Sequence, residues 1–163
     1  MLKTPLIPAL AAAVLLSGCA SVLPAPPEMT ATRTYPDSRD AVWRRILSAS
    51  ARKAMFVRQA DLANGVISVD RVIDSPQVDV FQDTILDWAE CPRGLLHRTV
   101  SQRVELNYVV RQERNGTTTV TLNGRFGENR VGIPSKQAEW VSCASTGRLE
   151  KDLLDSFYYD NRD

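Results

Sequence analysis

The chain has a single histidine and three cysteines in 163 residues. Transition-metal centres draw mainly on those two side chains, so the sequence has little material for one. Charge of one sign is missing too: 20 Lys and Arg stand against 19 Asp and Glu, a formal net charge of +1. No nucleic-acid partner is expected, because phosphate binding is driven by a basic excess. The arginines are scattered from Arg33 to Arg162 with no block longer than Arg44-Arg45. Such a distribution is a solvated surface and not an electrostatic footprint. There is no Gly-rich phosphate loop, no Gly-x-Ser-x-Gly elbow, no Asp-x-Asp-x-Asp-Gly calcium loop and no internal repeat. What is present, 44% apolar and 24% charged residues, fits one ordinary globular domain.

The apolar run at the N-terminus, Leu6 to Leu16, is short for a bilayer-spanning helix, which needs about 20 apolar residues. With Lys3 before it, residues 1–18 read as an export signal. The run ends in Leu16-Ser17-Gly18-Cys19, which resembles the lipobox of bacterial lipoproteins. An ordinary cleaved signal, or a signal anchor with an incidental Cys, is the plainer alternative. The resemblance implies that Cys19 becomes the first mature residue and carries acyl chains, two or more of which make membrane anchoring stable. Ala20 and Ser21 follow, without Asp at the second mature position. In that family this pattern implies sorting to the outer membrane, with the domain facing the periplasm. Residues 19–29, with Pro24, Pro26 and Pro27, are expected to form an extended tether. Residues 30–163 are expected to be a single domain.

Within that domain, Pro36 and the capping residues Asp37 and Ser38 precede an amphipathic pattern through Val42, Ile46 and Ala49, which predicts a helix of about four turns. Met55 to Gln59 and Gly65 to Val72 read as strands around an Ala63-Asn64-Gly65 turn. Residues 98–128 read as a hairpin. A two-residue Asn115-Gly116 turn would put its two apolar sets on opposite faces. A three-residue Arg114-Asn115-Gly116 loop pairs Val110 with Val120 and Tyr108 with Leu122 on one face, with Gly116 left-handed in a G1 bulge. A final helix runs from about Ser145 or Thr146 to Tyr159. Leu149, Leu153 and Phe157 form its buried stripe, and Glu150, Lys151, Asp152 and Asp155 are expected on the wet side. The fold class expected is α+β: an antiparallel sheet with an N-terminal-half helix and a C-terminal helix packed on one face. The stretch Asp40-Ala41-Val42-Trp43, the helix, Met55-Phe56-Val57 and Asn64-Gly65-Val66-Ile67 resembles the repeated unit of BamC-type helix-grip domains of periplasmic lipoproteins, and the resemblance implies a helix-grip-like arrangement.

With Cys19 assigned to lipid, Cys91 and Cys143 remain, and an even pair in an oxidising compartment is expected to be a disulfide. A redox-active pair would more often be spaced as Cys-x-x-Cys. His97 has no spaced ligand or nucleophile partners and is expected at the surface or a strand end. Asp79, Asp83 and Asp87, with Asp74 nearby, read as the wet side of a segment whose buried side is Val80, Phe81, Ile85 and Trp88. Trp88 and Trp140 flank the two cysteines, and Tyr158-Tyr159 end the last helix. A disulfide is expected to bring the two tryptophans near one another. They then either cover it and complete the core, or join Tyr158 and Tyr159 as aromatic anchors for a partner.

These readings lead to one expectation: an outer-membrane-anchored, non-enzymatic lipoprotein, a binding or scaffold module that supports a cell-envelope assembly. An envelope protein would meet it through the 73–97 insertion, the 127–143 loop or the exposed sheet face. A lipid- or glycan-binding module and a cell-wall-active enzyme are the alternatives. No catalytic residue, metal ligand or cofactor is assigned.

Overall fold

The computed structural model describes residues 29–74, 87–92, 97–133 and 136–159. The expected signal peptide, Cys19, most of the tether and the greater part of the 73–97 insertion, with Asp79, Val80, Phe81, Asp83 and Ile85, lie outside the described residues. Described are strands β1 (Met29–Tyr35), β2 (Phe56–Asp61), β3 (Val66–Asp74), β4 (Ala89–Glu90), β5 (His97–Gln112), β6 (Thr118–Gly132) and β7 (Ala138–Ser145). The helices are α1 (Arg39–Arg52) and α2 (Arg148–Tyr159). The strands form one seven-stranded antiparallel sheet in the order β2-β3-β5-β6-β7-β4, with β1 also paired to β6. The fold is α+β.

Helix α1 begins where the sequence supplies a cap: Ser38 Oγ accepts a hydrogen bond from the Ala41 amide at 3.4 Å. It ends in a Schellman turn, with the Met55 amide donating to Ser50 O at 2.9 Å and the Ala54 amide to Ala51 O at 2.9 Å. That turn needs a left-handed residue, and here it is Ala54 at φ 52° rather than glycine.

The β5–β6 hairpin has the three-residue loop. Val110 faces Val120 and Tyr108 faces Leu122. Glu113 N–H donates to Thr117 O at 2.8 Å, Gly116 N–H to Glu113 O at 3.1 Å, and Gly116 has φ +86°. One-face burial selects this register because a slip of one residue would turn Val120 and Leu122 to the solvent. On the buried side Ile67, Val69, Val104, Leu106, Tyr108, Val110, Val120, Leu122 and Phe126 meet Val42, Trp43, Ile46 and Ala49 of α1 and Leu149, Leu153, Leu154 and Phe157 of α2. Tyr35 joins them, its hydroxyl donating to Leu154 O at 2.6 Å.

Two expectations are corrected. The 127–143 segment is not a loop: β6 continues to Gly132 and pairs with β7, from Phe126↔Cys143 to Val131↔Ala138. The inward positions of β6 change from Val120, Leu122 and Phe126 to Glu128 and Arg130, so apolar alternation stops while the strand does not. Those two residues form a buried ion pair, with Arg130 Nη2 at 2.6 Å from Glu128 Oε2, and Thr99 also donates to the Glu128 carboxylate. Glu150 is not on the wet side of α2; it is fully buried. It occupies the first turn of α2, where Ser145 Oγ donates to Glu150 Oε1 at 2.7 Å and accepts from the Gly147 amide at 3.0 Å. The serine thus relays the reciprocal cap that Glu at this helical position usually makes directly. Burial pushes the Tyr35 and Tyr108 phenols well above their ordinary range, and the Glu150 charge pushes Tyr108 the same way.

Candidate binding face

Strand geometry sends successive side chains to opposite sides of a sheet, and both helices lie on one side of this one. The other side faces solvent, and the register places polar residues there in rows. Phe56 lies beside Asp70, Asp70 beside Glu105, and Glu105 beside Arg125. One step along, Val72, Arg103, Gly127 and Ser142 form the next row. On the β1 side the outer face is a hydroxyl ladder, Thr32 to Thr121 and Thr34 to Thr119, with Thr30 donating to Asn123 Oδ1 at 2.6 Å.

Between β2, β3 and β5 these rows enclose an open groove of about 300 Å³ lined by Arg58, Ser68, Asp70, Arg103, Glu105 and Asn107. Its floor is organised. Arg58 donates to Asp70 through Nε and Nη2, both at 2.7 Å, in a two-point fork. The Asp70 carboxylate is 7% exposed and the Arg58 side chain 64%, so the buried partner orients the exposed one. The hydrogen bond to Asp70 raises the Arg58 pKa further. Ser68 Oγ donates to Asn107 Oδ1 at 2.6 Å, and Arg103 Nη1 lies 3.3 Å from Glu105 Oε1. Arg58 stands at the bulge in β2 between Val57 and Gln59, a device that re-aims side chains at sheet edges.

Two aromatic side chains flank the groove. Phe56 on the edge strand is 70% exposed and Trp140 on β7 is 53% exposed. The Trp140 ring lies over Gly127, where an added Cβ would stand 3.5 Å from Cε3, and the Arg103 guanidinium is 5.8 Å from its ring centroid. Nearby, Arg103 Nε and Asn129 Oδ1 are buried without hydrogen-bond partners.

The residues singled out in the sequence separate into different roles. Cys91 and Cys143 are disulfide-bonded, with Cα atoms 4.2 Å apart. The two tryptophans are not in one patch. Cys143 pairs with Phe126 on the core side, whereas Trp140, an odd number of residues away on the same strand, points outward. Trp88 is buried, with Lys53 Nζ 5.8 Å from its ring centroid, and its carbonyl accepts from Thr146 N–H and Oγ1, each at 2.9 Å. It completes the core and ties the 87–92 segment to the start of α2. Tyr158 docks α2 onto β1: its ring centroid is 5.0 Å from that of Tyr35, its hydroxyl donates to Thr34 O at 2.7 Å, and Arg33 stacks at 5.1 Å. Tyr159 ends α2, and its side chain lies outside the described residues. His97 is the first residue of β5.

Sequence reasoning missed Arg58, Asp70, Arg103, Glu105 and Asn107, which converge from three strands. The alternation of polar residues along Val104 to Val110 was the available signal, because it identifies the outward positions without saying what they face. The disulfide sulfurs and the Glu128 carboxylate lie within 4.8 Å of one another. With the sulfurs bonded together and the carboxylate held by Arg130, this cluster closes the far end of the core. No protein-family model matches the chain, and neither does any curated protein.

Proposed function

We propose that the chain is a lipid-anchored, non-enzymatic binding module at the periplasmic face of the outer membrane, which presents the outer face of its sheet to another component of the envelope. The observation that supports this reading is the asymmetry of the sheet. Both helices pack on one side, while the other side carries an organised polar groove flanked by the exposed rings of Phe56 and Trp140. Exposed aromatic and arginine side chains on a rigid surface are the residue types that dominate binding hot spots. The carboxylates Asp70 and Glu105 are each paired with a guanidinium, an arrangement that holds recognition groups in place.

The address rests on Lys3, the Leu6–Leu16 run and Leu16-Ser17-Gly18-Cys19. The Cys91–Cys143 bond fits the oxidising compartment that the address implies. Among the described residues no helix is long and apolar enough to cross a membrane.

Site-specific photocrosslinking in cells tests the face. A crosslinker at position 140 is expected to trap an envelope component, and one at Lys151, on the outer surface of α2, is expected to trap none. Equal trapping from both positions, or trapping from 151 alone, would overturn the assignment.

A further inference from the structure

We infer that the outer-face groove is a glycan subsite that takes a neutral, hydroxyl-rich saccharide chain. This inference rests on the reading of the outer face as the binding face and specifies its ligand. Three features of the groove carry it.

The first is charge. Two guanidiniums, Arg58 and Arg103, are matched by two carboxylates, Asp70 and Glu105. A phosphate or polyanion site would keep its cations unneutralised, whereas a ligand without net charge meets no opposing field here.

The second is the type and placement of the polar groups. Carboxylate, amide and guanidinium are planar groups with paired donor or acceptor atoms, suited to neighbouring hydroxyls on one ring. The Arg58–Asp70 and Ser68–Asn107 contacts hold them in place before a ligand arrives.

The third is the inverted order of polarity. Protein–protein interfaces place apolar anchors at the centre and charge at the rim. Here the centre is charged, and the apolar rings Phe56 and Trp140 stand on either side. With neighbouring strands about 4.8 Å apart, β2 and β7 are separated by roughly 19 Å across the sheet. The row of Phe56 (Asp70, Glu105) is offset along β5 from the row of Trp140 (Asn129, Ser101), so the path between the rings runs diagonally over the outer face. An extended oligosaccharide can lie across that distance, its C–H faces on the rings and its hydroxyls over the groove.

The test uses the purified full chain, titrated with a β-1,4-linked N-acetylglucosamine tetramer and separately with inorganic polyphosphate. Indole fluorescence and backbone amide NMR shifts are the readouts. The tetramer is expected to give a saturable fluorescence change and amide shifts confined to β2, β3, β5, β6 and β7. Trp140→Ala is expected to weaken binding by at least about tenfold, with Trp140→Phe recovering most of the loss. Arg103→Ala is expected to weaken binding as well. Because both side chains are substantially exposed, unchanged melting temperatures should confirm that these variants fold. No saturable response to the tetramer, equal binding by Trp140→Ala, or preference for polyphosphate would overturn the inference. Crosslinks from position 140 to an envelope protein, with no glycan response, would overturn the glycan assignment and leave the binding face standing. Loss of both signals would remove both.

Discussion

Glu150 lies directly over Gly124: a methyl group at position 124 would collide with Glu150 Oε1 and come within 3.0 Å of Glu150 Cδ. The missing side chain on β6 makes room for a buried carboxylate on α2, so two distant positions are sterically coupled. Gly124→Ala is expected to destabilise the fold by about 1–3 kcal/mol through overpacking. On a Glu150→Ala background most of that penalty should vanish, and on a Glu150→Gln background it should persist, because glutamine keeps the shape. Urea unfolding of the parent, the three single variants and the two double variants measures the coupling. Additive effects with Glu150→Ala would contradict it.

A second coupled pair stabilises the far end of the sheet. Arg130 donates to Glu128 Oε2 through Nε at 3.0 Å and Nη2 at 2.6 Å, with both side chains nearly buried. Arg130→Leu leaves an uncompensated buried carboxylate and is expected to cost about 3–5 kcal/mol. The double variant with Glu128→Leu is expected to be more stable than Arg130→Leu alone. Chemical denaturation of the three proteins gives the comparison.

The same ion pair explains what could be read from the sequence and what could not. The first helix and the β5–β6 register were legible because apolar spacing there agrees with a single buried face, as with Val110 opposite Val120. The hidden elements are those where a charged residue takes a core position. Glu128 and Arg130 disguise the end of β6 and its pairing with β7, and Glu150 mimics a solvent-facing residue of α2. For the candidate site, Trp140 was visible as an aromatic near Cys143. Its direction follows only once β7 is known to be a strand, where an odd separation reverses the face. The groove residues come from β2, β3 and β5 and become neighbours only through the register.

At the end of α1 the chain carries a strained position that a substitution relieves. Ala54 holds φ 52° in the Schellman turn, a conformation that costs an L-residue roughly 1–2 kcal/mol. Ala54→Gly removes that strain and loosens the unfolded chain by part of the same amount. The expected net gain is about 0.5–1 kcal/mol, seen as a higher melting temperature with α1 intact.

Alkali should unfold the protein in a defined window. Burial raises the Tyr35 and Tyr108 pKa values above the ordinary 10.0. A raised folded-state pKa means that the fold binds the proton more tightly than the unfolded chain does. Its contribution is therefore complete below pH 10 and is lost progressively as pH rises from there toward the folded-state values. Stability is expected to fall above about pH 10. These two phenols should ionise together with unfolding, which ultraviolet tyrosinate absorbance can follow. Ionisation of all four tyrosines at the ordinary value, with the fold retained, would contradict the burial argument.

The proposal as a whole requires that the mature polypeptide start at an acylated sulfur outside the cytosol. Intact-mass measurement of the protein purified from membranes tests this most directly. The expected mass is that of residues 19–163 with acyl groups on Cys19 and two hydrogens fewer for the Cys91–Cys143 bond. A mass matching the unprocessed chain from Met1, with no acyl adduct, would contradict the envelope role.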